Sequence, residues 1–353
     1  MTLAVQCSLS QDGRFNCSAP SLGPEESRAL AFLCFSLAAL TVMGNLLVVA
    51  SIALFRLLPS RLSTGRQLQT RTNAFTLSLA VADLLVGLLV MPFSAMRSLY
   101  GCWFFGRTFC KVHTCLDVLL STASIAHLGA IAFDRHTAIC DPLRYHQRLT
   151  AGRAATLVAI CWVGSALLAV GPILLGWNTV GIEELVASSC PDACVLLMNA
   201  PFAIAGSTCS FFVPSFVMVV TYMRIYRVAL RQARAVRNLI SVSSVAWEHC
   251  DINSRPEKRT DQRRDRSATK TLGIIMVAFV TCWLPYFSLT LLNPFTGFLA
   301  EPWVWESTAW LAYMNSALNP ILYPAFNRAF RQAFRLVFTC AWRSRNVRRA
   351  NLA

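Results

Sequence analysis

At 353 residues, with 55% apolar and only 14% charged residues and a net charge of +15, the chain is too apolar for a water-soluble protein of its size. A mean hydropathy of +0.50 points to several membrane crossings. There is no glycine-rich phosphate loop, no metal-ligand cluster and no paired nucleophile and base, and the five histidines are scattered, so no enzyme is expected.

Seven apolar segments, at roughly 29–55, 73–96, 108–134, 154–176, 200–224, 271–292 and 303–325, are each long enough to cross a bilayer. Backbone groups find no water in hydrocarbon, so spans of this length are expected as helices. The expected fold is an all-α membrane protein: a seven-transmembrane-helix bundle plus a short cytoplasmic amphipathic helix 8. Residues 1–28 read as an extracellular tail and 29–325 as the seven-helix domain, with a third cytoplasmic loop at about 228–268; 326–353 read as helix 8 and cytoplasmic tail. The first 28 residues are polar and lack the apolar core of a cleavable signal, so the first span is expected to direct its own insertion.

Five basic residues (Arg14, Arg28, Arg97, Arg107, Lys111) fall in the N-terminal tail and the even-numbered connections, and the rest of the 32 fall on the opposite side. The positive-inside rule then puts the N-terminus outside, in a multi-pass protein of the plasma membrane. The basic rim faces the cytoplasm, where anionic membrane lipid and an acidic partner, rather than nucleic acid, are its neighbours. Asn16, in Asn16-Cys17-Ser18, is a glycosylation sequon on the outer side. Cys7, Cys17, Cys102, Cys110, Cys190 and Cys194 lie in or beside outer segments and can be oxidised. Cys34, Cys115, Cys161, Cys209 and Cys282 lie within spans and read as small buried apolar residues, and Cys340, in RLVFTCAW, is a candidate for palmitoylation.

Taken in order, span one holds one strongly polar residue at depth, Asn45, and span two holds Asp83. Span three carries Asp117 near one end and Asp134-Arg135 near the other. An ionised acid in hydrocarbon costs roughly 2.5 kcal/mol or more, so Asp117 is expected to face a polar interior. No apolar helix carries Lys or Arg at comparable depth, which makes an external cation the simpler partner and a salt bridge to a neighbouring helix the alternative. Ser207 and Ser210, three apart on span five, either bond the far end of a ligand or simply pack. In span six Pro285 follows Trp283 by two residues and should bend the helix, with Trp283 read as packing from the pattern. Span seven places Asn315, Ser316 and Asn319 just before Pro320. A cluster of Asp83, Ser124, Asn315 and Asn319 suits a small hydrated cation such as a structural sodium ion, or else is a purely structural hydrogen-bond knot; no other metal site and no cofactor is expected.

Gly44-Asn45, LAVAD (Leu79 to Asp83), Asp134-Arg135-His136, Trp162, Pro214 with Tyr222, CWLP (Cys282 to Pro285) and NPILY (Asn319 to Tyr323) occur in order, one set per span. Together they resemble the rhodopsin-like G-protein-coupled receptors. The tripeptide departs from the usual Asp-Arg-Tyr, which leaves the role of His136 open, and the first cytoplasmic loop looks longer than usual.

Within that group, Asp117 followed by VLLSTASI resembles the amine receptors, which implies that Asp117 pairs with a ligand ammonium through a charge-assisted bond. The resemblance places Trp310 and Tyr313 beside it as cation-π surfaces, with Trp283, Tyr286 and Phe287 as an aromatic floor. Helical steps back from Tyr313 and Trp310 put Glu306 on the same face, one turn further out. Asp117 and Glu306 then hold the two ends of a diamine or polyamine, unless Glu306 is a solvated helix-end acid. Glu183, Glu184, Asp192 and Glu301 complete an acidic outer rim that concentrates cations.

GIEELVASSCPDAC is similar to a loop of the trace amine-associated receptors, which implies that Cys194 bridges Cys110 and that Cys190 bridges Cys7 or Cys17, with Cys102 unassigned. Against this, NPILYPAFNRAFRQAF looks more like histamine or serotonin receptors, although span five lacks the acid of histamine receptors. The implied function is a receptor for a trace amine, diamine or polyamine, with olfaction among the implied settings. It would act through a stimulatory or olfactory-type heterotrimeric G protein to raise cyclic AMP, with arrestin and a receptor kinase as further partners. Asp265 would hold Arg135 in the resting state, Tyr222 and Tyr323 would rearrange with it, and Leu143 would touch the G protein. The alternatives are a histamine- or serotonin-type receptor and, in another class, a seven-helix cation transporter or channel, against which stands the lack of a repeat between halves.

Overall fold

The computed structural model describes residues 8–9, 15–16, 23–57, 71–188, 194–246, 256–326 and 330–337. Seven long helical stretches carry the chain back and forth. The first runs Pro24–Leu57. The second runs Arg71–Leu85, passes through a π-turn at Val86–Val90 and continues as Met91–Tyr100. The third is Gly106–Cys140 and the fourth Ala151–Leu174. The fifth comprises Ala200–Ser207, a second π-turn at Thr208–Phe212 and Val213–Ala246. The sixth is Pro256–Leu292 and the seventh Pro302–Phe326. Among the described residues, the first six stretches include segments long and apolar enough to cross a membrane. The seventh is the one that carries Glu306, Asn315, Ser316 and Asn319.

Both π-turns sit just before a proline, Pro92 or Pro214. A proline donates no amide hydrogen and its ring crowds the preceding turn, and one extra residue per turn relieves both problems. Helices five and six reach well beyond the apolar segments, so most of the stretch expected as a loop at about 228–268 is helix. Polar residues sustain a helix as long as its backbone is bonded internally, and hydropathy marks only the membrane-embedded part.

Close backbone approach fixes the first helix against its neighbours. A Cβ on Gly44 would stand 2.6 Å from the Pro320 ring, and one on Gly87 would stand 2.9 Å from the Val42 side chain. Asn45 adds a bond across this contact, donating to the Ser316 carbonyl at 3.0 Å. The main core joins helices three, five and six through Ile125, Phe211, Met218, Phe279, Trp283 and Phe287. Residues 330–337 are helical and seat Phe330 and Ala333 against Val48, Ile52 and Ala80, as expected of helix 8. The described part of the N-terminal tail is a minimal antiparallel pair, Ser8–Leu9 with Phe15–Asn16.

Candidate functional site

Asp117 stands three turns into the third helix and points into a cavity among helices three, five, six and seven. Its carboxylate is oriented from two sides. The Tyr313 hydroxyl donates to Oδ2 at 2.8 Å, and Ser121, one turn on, donates to Oδ1 at 3.4 Å. Tyr313 is itself placed by Ser94 at 3.3 Å, and Ser94 lies 3.4 Å from Nε2 of His113. Among the described residues, the cavity wall includes no Lys or Arg and no acid other than Asp117.

Trp283, Tyr286 and Phe287 line the same cavity. Phe287 stacks on Phe211 with ring centres 4.7 Å apart and planes 2° from parallel, and Trp283 leans on Phe287 at 5.7 Å. Trp283 therefore both packs in the core and lines the cavity, so the packing role read from its pattern is half of what it does. Opposite Asp117, Ser207 and Ser210 line the wall beside Gly206. The Ser207 hydroxyl is buried with no hydrogen-bond partner among the described residues, which leaves it available to a polar group in the cavity.

The connection between helices four and five covers the cavity with Leu196 and Met198. It is pinned to the start of helix three by the Cys110–Cys194 disulfide. Asn199 anchors its far end: its side chain donates to the Trp177 and Val180 carbonyls at 2.9 Å and accepts from the Phe202 amide at the start of helix five. Asn followed by Ala-Pro is a helix-start signal legible in the sequence.

Three expectations need correction. Trp310 and Glu306 are not among the cavity-lining residues. Trp310 sets its ring edge-on to Tyr313 at 5.5 Å and donates its indole hydrogen to Ser98 at 2.9 Å. Glu306 is ion-paired with Arg97 at 3.0 Å and accepts a bond from the Ser98 hydroxyl on its other oxygen. Arg97, read from the sequence as part of an outer connection, instead lies in the last turn of the second helix, and it also donates to the Cys194 carbonyl at 3.1 Å. Depth along a helix is invisible to a count of loop charges. Cys102, unassigned from sequence, is disulfide-bonded, with its partner outside the described residues.

Of the acidic rim, Glu183, Glu184 and Glu301 are exposed. Glu183 accepts the Gly181 amide at 2.8 Å, and backbone amides hold its carboxyl below the usual range.

Deeper in the bundle Asp83 is fully buried. Ser124 and Ser316 donate to its Oδ1 at 2.8 and 2.9 Å, and Asn319 donates to Oδ2 at 2.7 Å. Ser316 thus takes the place expected for Asn315, whose Nδ2 is buried without a partner among the described residues. Among the described residues, a carboxylate bonded by neutral groups alone, with the buried and unpartnered Oδ1 of Asn45 held nearby through Ser316, fits a small hydrated cation.

At the other end Asp134 is fully buried and accepts from Arg135 at 2.6 Å, Thr72 at 2.7 Å and Tyr145 at 2.8 Å. Arg135 also donates to Thr72. Burial and the neighbouring Asp134 push the Tyr145 hydroxyl above its ordinary pKa, which keeps it a donor. Tyr222 is buried in the core, and Leu143 is 93% exposed. The side chains of Asp265, Tyr323 and Asn16, and Cys7, Cys17, Cys190, Asp192 and Cys340 altogether, lie outside the described residues.

Residues 44–323 match the family described as 7 transmembrane receptor (rhodopsin family). The chain belongs to that family. The receptor is 44% identical over 308 residues to trace amine-associated receptor 365 of Petromyzon marinus, covering 87% of this chain and 79% of the relative. It is 41% identical to trace amine-associated receptor 13c of Danio rerio, over 80% of this chain and 77% of that one. With trace amine-associated receptor 4 of Rattus norvegicus the identity is 38% over the same shares, 80% and 77%. These relatives are receptors and not enzymes, and the receptor is a multi-pass membrane protein.

Proposed function

We propose that the receptor detects small organic amines, holding the ligand ammonium on Asp117 and signalling through a stimulatory or olfactory-type G protein to raise cyclic AMP. The observation that carries this reading is the Asp117 carboxylate: it faces a largely apolar cavity, is oriented by Tyr313 and Ser121, and has no basic residue beside it on the wall among the described residues. In such surroundings an ammonium gains a charge-assisted bond of about 1.5–3 kcal/mol, and the aromatic groups at the floor add cation-π attraction. Ser207 and Ser210 offer polar contacts to the ligand's far end. The names of the relatives accord with this reading.

In this mechanism the N-terminus is outside and the Asp117 end opens to the exterior at the plasma membrane. Ligand occupancy shifts Trp283, helix six swings about Pro285, and Arg135 leaves Asp134 to rearrange with Tyr222 and Tyr323. A G protein then enters and meets Leu143, while arrestin and a receptor kinase act on the same face. Asp83 with Ser124, Ser316 and Asn319 would hold a sodium ion, whose charge would balance the buried carboxylate.

Amine-dependent nucleotide exchange on a co-reconstituted stimulatory G protein, without cation flux in the same liposomes, is the expected result. Silence towards a broad panel of amines from a correctly inserted chain would overturn the reading. Exchange on a different G protein would overturn the coupling alone.

A further inference from the structure

The charge around the cavity is not set by acids alone. Glu306, the second acid that its position in helix seven could offer to a ligand, has both carboxylate oxygens engaged. Arg97 holds Oε1 at 3.0 Å and the Ser98 hydroxyl holds Oε2, while Trp310 fixes Ser98 from the same helix as Glu306. The pair is only partly open to solvent, with 22% of the Arg97 side chain and 28% of the Glu306 side chain exposed. Arg97 is tied down in turn by the Cys194 carbonyl, beside the disulfide that joins this connection to helix three.

We propose that Arg97 is the residue that sets charge selectivity: by occupying Glu306 it leaves Asp117 as the one free carboxylate acceptor at the cavity among the described residues and makes the site select amines with one ammonium over diamines. The inference rests on the amine reading of Asp117. A diamine seated on Asp117 would have to lose the hydration of its second ammonium without gaining a carboxylate, and would meet a fixed guanidinium near Glu306. An uncompensated ion leaving water is costly, and like charges in partly desolvated surroundings repel strongly. An aryl or alkyl monoamine meets neither penalty.

Arg97 acts here through Glu306, so its test must separate selectivity from general support of the fold. The purified full-length receptor is titrated with a series of linear monoamines and of α,ω-diamines, and affinity is read from ligand-dependent thermal stabilisation, which needs no G protein. Wild type is expected to bind monoamines at least tenfold more tightly than the best diamine. Arg97→Gln should raise diamine affinity tenfold or more while monoamine affinity stays within about threefold. Arg97→Lys should restore the wild-type ratio, and Arg97→Gln combined with Glu306→Gln should abolish the diamine gain.

An unchanged ratio in Arg97→Gln, with the folded protein verified by its melting transition, would overturn the proposal. So would a wild type that prefers diamines and loses them on Glu306→Gln. If monoamines and diamines both fail to stabilise wild type, the amine reading of Asp117 falls and the proposal with it; an unchanged ratio alongside normal monoamine binding removes the selectivity role of Arg97 alone.

Discussion

At the scale of single residues, the proposed amine site depends on one carboxylate held in one orientation. Asp117→Asn keeps the shape and removes the charge, and about 100-fold weaker amine binding is expected in a ligand-binding titration. Tyr313→Phe leaves the charge but removes the 2.8 Å bond that aims it, and a loss of about three- to tenfold is expected. At the opposite end, Tyr145→Phe takes one of the donors from buried Asp134 and loosens the hold on Arg135. One neutral bond is worth about 0.5–1.5 kcal/mol, so ligand-free signalling should rise by about two- to tenfold in a basal nucleotide-exchange assay. Asp83, Asp117 and Asp134 were legible in the sequence because a charge in an apolar run demands an explanation. Arg97 was not, since its meaning comes from a partner 209 residues away and from a depth that a helix-end position conceals.

At the scale of elements, the spans could be read from hydropathy and the contacts between them could not. Gly44 looks like half of a two-residue motif, yet its role is spatial: the Pro320 ring occupies the place a side chain would need. Gly44→Ala should lower the melting temperature of the purified receptor, and Gly44→Val should lower it further, as expected when backbone and ring must part. The start of helix five is equally local in sequence and distant in effect. Asn199 satisfies the helix end and two carbonyls of the preceding connection at once, so Asn199→Ala should both destabilise the fold, by about 1–2 kcal/mol, and loosen the cover over the cavity. A faster ligand off-rate would report the second effect.

Across the whole molecule, the Asp117 end and the Asp134 end are built differently. The first is braced by a disulfide, the Arg97–Glu306 pair and the Asn199 anchor; the second is gathered on one buried carboxylate. The π-turn at Val86–Val90 lies between these regions in the second helix and controls the phase of everything beyond it. One residue in an α-helix corresponds to a rotation of about 100°. Ser94, Arg97 and Ser98 reach helices three and seven from the far side of that extra residue. A chain one residue shorter there would turn all three away together, while Thr72, Ser78 and Asp83 kept their bearings. The turn thus works as an angular adjuster, through which a change of one residue in length can re-aim the recognition end of the bundle and leave its signalling end undisturbed.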